Sequence, residues 1–463
     1  MTWRARIGAY LDVFRLTWPI ALGMANNALM QFVDRVFLSH ESALSLEAVL
    51  PASVFAGVFV CLFQSVVVYS GTFVAQYFGA GNERGCRVSY HAGLALAVLF
   101  GLVLLLLVPP GLLVFDWVGH SPAVLAREKT YYAIVTAGGF APCALMAASG
   151  YFTGKGRTRL VFFVNVAGNA LNVLLDFLLI FGFDAAPCGL HVPAMGIAGA
   201  AWATVAAQTV QMAVLNALAL RETFDKRAPV TSDNDGEPFG FWRLMARILR
   251  YGLPSGVQSM LNILSFLVFV FLTGKVGDLA FAVSNAAFTV NYLLIAPIEG
   301  FAIGAGVLVG QRQGAGDPHG AFASGNRALV LAEAYVAVVT TAILLFRRPI
   351  LSMFADDVAA GDLPDFMALG STLFVMMAVW QFCDAAEVVL SGALKGAGDT
   401  RFVMVWMLVM AFPFWMPILF VTYALCPTME ALWATMIVYV FVFFVGTLLR
   451  WLKGPWRSLC LIA

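Results

Sequence analysis

Asn165, Asn169, Asn172 and Asp176 sit in one otherwise apolar run and step by 4, 3 and 4 residues, so they share one face of a helix. A second run carries Asn27, Gln31 and Asp34 at steps of 4 and 3, and a third carries Thr204 one turn past Ala200. Polar and ionisable groups inside a bilayer are costly unless partnered or hydrated, which makes them candidates for function. Counted from the ends of their runs, Asp34, Asp176 and Thr204 lie about five, seven and nine residues deep. At about 1.5 Å of rise per residue the three fall within about 6 Å in height. Two carboxylates with amide and hydroxyl oxygens suit a hard monovalent cation, Na⁺ held by Asp34, Asn172, Asp176 and Thr204, or a shared proton. The competing role is structural, because asparagines also tie neighbouring helices together in membranes.

The second half of the chain has a looser set. One run offers Ser255, Gln258 and Asn262, the next Asn285, Tyr292 and Glu299, and a third Gln381, Asp384 and Glu387. No Lys or Arg inside those runs is available to neutralise the three acids, so they are expected to face water or hold protons on a cation or substrate path.

The elements that position these groups follow from composition. Hydrophobic residues make up 61% of the 463 positions and charged ones only 11%, against about 25% charged in a soluble domain. The chain reads as twelve apolar crossings near 15–38, 48–78, 89–115, 129–153, 159–183, 195–220, 251–275, 279–310, 325–346, 365–394, 400–424 and 429–451. The expected architecture is an all-α polytopic membrane protein of two six-helix lobes, 1–220 and 251–463. Between them lies a charged, Pro- and Gly-containing linker at 221–250 that ends in an amphipathic surface helix, FWRLMARILRYG.

With both termini inside, all but six of the 27 Lys and Arg residues fall on the cytoplasmic side, the six being Arg35, Arg127, Lys129, Lys275, Arg347 and Arg348. That bias predicts a multi-pass protein of the inner (plasma) membrane. A formal net charge of +1 without a basic tract excludes nucleic acid as a partner. The seven cysteines form no CxxC or Cys/His cluster; Cys188 and Cys426 fall in corresponding outer loops, where a disulfide would need an oxidising compartment. His40, His91, His120, His191 and His319 show no HExxH or paired spacing, so no enzyme and no cofactor are expected.

The chain repeats itself. VAQYFGAGN at 74–82 returns as VGQRQGAGD at 309–317, and Pro19 returns as Pro254. SGYFTGKGRTR at 149–159 returns as SGALKGAGDTR at 391–401, and Trp202-Ala203-Thr204 as Trp433-Ala434-Thr435. Six crossings per copy give the halves one orientation, related by an axis along the membrane normal, with a cleft between them. The glycine-rich repeats read first as turns at helix ends.

QFVDRVFLSH, NALNVLLDFLLIFG followed by GIAGAAWAT, and FCDAAEVVLSGALKGAGDT resemble the first, fifth-to-sixth and tenth helices of the multidrug and toxic compound extrusion (MATE) family. The resemblance covers essentially the whole chain. It implies a V-shaped pair of lobes, alternating access, and exchange of Na⁺ or H⁺ for amphiphilic organic cations by a protein acting as a monomer. It further implies an N-lobe cation site at Asp34, Asn172, Asp176, Ala200 and Thr204, and an acidic C-lobe position at Asp384. Asn27, Gln31, Asn169, Asn262, Tyr292, Glu299, Gln381, Asp384 and Glu387 are candidates for the substrate or proton path. One departure stands out: the NorM branch has a glutamate where this chain has Asn262, and Glu299 is the nearest candidate to restore that charge. A lipid-linked sugar flippase of the same superfamily is the alternative, expected to show fourteen crossings or a basic cavity.

Overall fold

The computed structural model describes residues 3–117, 120–185, 190–224, 240–355 and 358–462. The helices are α1 (Trp3–Glu41), α2 (Ala43–Val68), α3 (Ser70–Gly79), α4 (Glu83–Phe115), α5 (Pro122–Ala137), α6 (Phe140–Gly154), α7 (Thr158–Phe181), α8 (Ile197–Phe224), α9 (Phe241–Thr273), α10 (Asp278–Gly314), α11 (Pro318–Leu345), α12 (Arg347–Ser352), α13 (Leu363–Ala397), α14 (Thr400–Val409), α15 (Met416–Leu425) and α16 (Met429–Lys453). Among the described residues the strands are β1 (Phe183–Ala185) and β2 (Leu190–Val192), an antiparallel hairpin between α7 and α8. Among the described residues ten helical segments are long and apolar enough to cross a membrane, and the pair α5–α6, bent by 41°, makes an eleventh if it is one span. The 39-residue α1, with Asn26, Asn27, Gln31 and Asp34 interrupting its apolar course, is the twelfth long segment.

Several helices begin earlier or end later than the apolar runs, α4 from Glu83 and α10 to Gly314 among them, because the polar turns at their ends also hydrogen-bond as helix. The amphipathic stretch after the linker is a case in point. Residues from Phe241 run without a break through Pro254 to Thr273, so this stretch forms the first turns of α9 and not a separate surface helix. Most of the linker, 225–239, lies outside the described residues. So does Cys188, and with it the Cys188–Cys426 pairing.

The chain divides into two compact units, one spanning Ala25–Gly256 and the other joining Met1–Met24 to Val257–Leu461. The boundaries differ from a cut at 220 and 251, since the first part of α1 belongs with the later helices: a Cβ on Gly300 would lie 2.3 Å from Ala21 Cα. Buried aromatics fill the core of that unit. Phe288 meets both Trp380 and Trp433, and Trp433 Nε1 donates to Ser284 Oγ at 3.1 Å.

The repeat is visible in atomic detail. Gly81 and Gly316 both take φ +71°, a left-handed turn that favours glycine. The residue after each caps the next helix, with Asn82 Oδ1 accepting from Gly85 N at 2.7 Å and Asp317 Oδ1 from Gly320 N at 2.8 Å. The GAGN and GAGD strings are therefore turn-and-cap devices. Both copies also carry a Gly-x₃-Gly step, Gly150/Gly154 on α6 and Gly392/Gly396 on α13. A Cβ on Gly154 would lie 2.7 Å from Gly71 O, and one on Gly396 only 2.1 Å from Gly306 O. Backbones touch there because no side chain intervenes.

Candidate functional site

Within the Ala25–Gly256 unit, α1, α7 and α8 bring most of the polar ladder together. The carboxyl groups of Asp34 and Asp176 meet at hydrogen-bonding distance. Asn172, with its amide nitrogen turned toward them, donates to Asp34 Oδ1 and Asp176 Oδ2, each at 3.2 Å. Asp176 is 0% exposed and Asn172 1%, whereas Asp34 is half-buried. The four-residue step between Asn172 and Asp176 places both on one face of α7, and α1 runs beside it with Asp34.

One turn-pair further along the same faces lies a neutral chain. Asn169 Nδ2 donates to Asn27 Oδ1 at 2.8 Å, and Gln211 Nε2 donates to Asn169 Oδ1 at 3.1 Å and to the carbonyl of Asn165 at 3.3 Å. Gly168 makes room for Gln211, since a Cβ there would lie 2.1 Å from its amide. The asparagines thus divide their labour: Asn172 serves the carboxylates, while Asn27 and Asn169 tie α1 to α7. Gln31 is exposed.

Ala200 is buried in a cluster with Leu38, Ala48, Val49, Val124, Ile180 and Ile197. Thr204 donates its hydroxyl to the Ala200 carbonyl at 3.0 Å, leaving its oxygen only as an acceptor. Two residues were not picked out from the sequence. Gln211 lies two turns beyond Thr204 on the same face of α8, a spacing that would have revealed it. Tyr131 on α5 lies within electrostatic reach of both Asp34 and Asp176, yet the adjacent pair Tyr131-Tyr132 shows no helical spacing that would single it out.

Asp176 Oδ1 is buried and receives no hydrogen bond among the described residues. An oxygen with a free lone pair beside a second carboxylate fits a proton or a small monovalent cation. Among the described residues no group of three or more His, Cys, Asp or Glu side chains is arranged to hold a metal.

In the other unit Asp384 lies within electrostatic reach of Glu387 and Glu299. Glu387, 5% exposed, accepts a hydrogen bond from Ser391 Oγ. Gln381 is fully buried with both amide atoms unpartnered among the described residues. Asn262, Tyr292 and Glu299 are exposed. The expectation that no Lys or Arg serves these acids needs correction. Lys395, from the last turn of α13, reaches back to donate to Gln258 Oε1 at 3.0 Å and acts electrostatically on Glu299 and Glu387. The apolar run ends at 394, whereas α13 continues to Ala397 and carries Lys395 with it. Glu333 on α11 was also missed. Its Oε1 is buried without a partner among the described residues, and a single acid in the run 325–346 was the available signal.

The family model for MatE matches residues 19–178 and 254–421, one stretch in each half. The chain is 27% identical over 425 residues to the multidrug resistance protein PmpM of Pseudomonas aeruginosa, covering 89% of this chain and 83% of that protein. It is 25% identical over 404 residues to the probable multidrug resistance protein NorM of Thermotoga maritima, covering 85% and 83%. A solved outward-facing multidrug resistance MATE transporter of the MOP superfamily superposes with a TM-score of 0.80 at 19% identity, over 97% of this chain and 96% of that one. A crystal structure of MATE in the straight conformation also gives 0.80, at 21% identity and 97% coverage of both chains. The fold, the paired matches and the two six-helix repeats agree, and the chain belongs to the MatE family of multi-pass membrane transporters, the multidrug and toxic compound extrusion proteins.

Proposed function

We propose that this transporter is a secondary antiporter that expels amphiphilic organic cations in exchange for H⁺ or Na⁺, with Asp34 and Asp176 as the coupling pair. The observation that carries the proposal is the contact between those two carboxyl groups, bridged by Asn172. Two carboxylates at this distance repel unless a proton or cation sits between them. Binding and release of that one charge therefore change how strongly α1 and α7 attract each other. An ion with different affinity for two arrangements of these helices biases the equilibrium between them by that difference and no more.

The names of the relatives NorM and PmpM support drug export. The acids Asp384, Glu387 and Glu299 support a cationic substrate, with Gln381, Tyr292 and Asn262 as further candidates on its path. The Lys and Arg bias supports cytoplasmic termini in an inner membrane, and each six-helix repeat is taken as one lobe of a monomer.

The test is efflux of a fluorescent organic cation from vesicles containing the purified protein, under an imposed Na⁺ gradient and, separately, an imposed pH gradient. Efflux driven by either gradient is expected. Equal rates with and without both gradients would refute antiport.

A further inference from the structure

Beyond the carboxyl pair, toward the β-hairpin end of the Ala25–Gly256 unit, lies a cavity of about 610 Å³. It is lined by His40 and Glu41 at the end of α1, Arg127 on α5, Ile180 near the end of α7, and Ile197 and Ala198 at the start of α8. Backbone hydrogen bonds fix its rim, with Met195 N donating to Leu179 O at 2.9 Å and Gly196 N to Ile180 O at 3.2 Å. Glu41 Oε1 packs against Gly196, where a Cβ would lie 2.8 Å from it. Glu41 Oε2 is buried and receives no hydrogen bond among the described residues. With His40, Glu41 and Arg127 on its wall, a cavity of this size is polar and roomy enough to hold water.

Its floor is apolar. Ile180 and Ile197 line the cavity and also belong to one buried cluster with Leu38. Each of the three stands one turn from the coupling site. Leu38 is four residues beyond Asp34 on α1, Ile180 four beyond Asp176 on α7, and Ile197 three before Ala200, whose carbonyl accepts from Thr204. They are 1%, 1% and 5% exposed. Two carboxylate oxygens without a hydrogen bond among the described residues, Glu41 Oε2 and Asp176 Oδ1, therefore flank one apolar constriction. Glu41 and Asp34 are seven residues apart on α1, so the two levels are separated by about 10 Å along that helix.

We propose that this cavity is the outer antechamber of the coupling ion: H⁺ or Na⁺ enters beside Glu41 and reaches the Asp34–Asp176 pair through the constriction of Leu38, Ile180 and Ile197. This role rests on the antiport reading and on cytoplasmic termini, which put the Glu41 end of the unit outside. Apolar constrictions gate small ions by drying, so the ion passes only while the three side chains part. The charges on the wall set how readily it arrives. Glu41 raises the local concentration of a cation and Arg127 lowers it.

The test is gradient-driven efflux of the fluorescent organic cation from vesicles holding the full-length protein right side out, measured against the outside concentration of whichever ion drives it. Glu41→Gln is expected to raise the half-saturating ion concentration about threefold, and Arg127→Gln to lower it about threefold. The shift falls on that concentration and not on the maximal rate. In a second arm, Ala198→Cys is labelled from outside with an impermeant, uncharged maleimide bearing a short polyethylene glycol chain. The plugged variant is expected to lose most of its gradient-driven efflux, while the wild type given the same reagent keeps its own.

A structural role for Glu41 and Arg127 would lower the maximal rate of both variants and leave no opposite shifts. Shifts in one direction, no shift, failure of Ala198→Cys to label from outside, or full efflux by the labelled variant each overturn the antechamber. Gradient-driven efflux by the wild type leaves the antiport reading standing in all of these cases, and a wild type without it overturns both.

Discussion

Arg157 and Asp399 occupy the same position in the two copies of the repeat and carry opposite charges, yet each is paired with the last turns of the final long helix of its own half. Arg157 Nη1 meets Glu222 at 2.5 Å, and Asp399 accepts from Arg450 Nε at 2.7 Å and Nη2 at 3.2 Å. The repeat has kept the pairing and reversed its polarity. The two pairs differ in setting: the Arg157 side chain is 51% exposed, while Asp399 is 7% and Arg450 27%. Exposed ion pairs contribute about 0–1 kcal/mol, whereas removing one partner of a buried pair costs about 3–5 kcal/mol. Asp399→Ala should therefore lower the apparent melting temperature of the detergent-solubilised protein much more than Arg157→Ala. Equal shifts would mean that the polarity reversal is not accompanied by a real difference in burial energetics.

The glycine contacts yield a second ranking. A methyl on Gly396 would overlap the Gly306 carbonyl at 2.1 Å, whereas one on Gly154 meets Gly71 O at 2.7 Å and the Val74 side chain at 3.0 Å. Backbone cannot rotate away as a side chain can, and overpacking of this kind costs about 1–3 kcal/mol or more. Gly396→Ala should reduce folded yield more than Gly154→Ala, and both more than Gly57→Ala, where a Cβ would meet nothing within 4 Å. Size-exclusion profiles of the three variants check the order.

Lys155 gives a prediction about pH. Burial works against its charge, but hydrogen bonds to Glu222 and Glu83 outweigh burial and hold the ammonium above its ordinary pKa of 10.5. A folded-state pKa above the unfolded one contributes stability that is fully present below the unfolded value and fades only as pH rises through the folded value. The stability lost in Lys155→Met should thus be constant from pH 6 to about pH 9 and shrink only above about pH 10. A difference that instead changes between pH 6 and 8 would contradict this assignment.

The fold was legible in the sequence because lipid imposes a simple rule: apolar runs of sufficient length must be helices, and a repeated order of motifs fixes how many. Pro19 and Pro254 correspond in the sequence, and both lie inside continuous helices in the structure. The Asp34, Asn172 and Asp176 cluster was legible too, since helical spacing alone aligns Asn172 with Asp176. What spacing cannot give is the partner across a helix boundary. Gln211 and Tyr131 join the site from α8 and α5 through packing, and Lys395 reaches Gln258 because a helix continues past its apolar stretch. Thr204 shows the converse, for its hydroxyl proton goes to its own helix, which residue type and depth do not reveal.

The proposed coupling depends on the Asp34–Asp176 carboxyl pair. The most direct measurement is gradient-driven efflux of the fluorescent organic cation from vesicles bearing Asp34→Asn or Asp176→Asn, alongside binding of the same cation to the purified variants. Both variants are expected to fold and to bind the cation, while their gradient-driven efflux falls to the rate seen without a gradient. Full gradient-driven efflux by both variants would show that the coupling ion is handled elsewhere and would contradict the central claim.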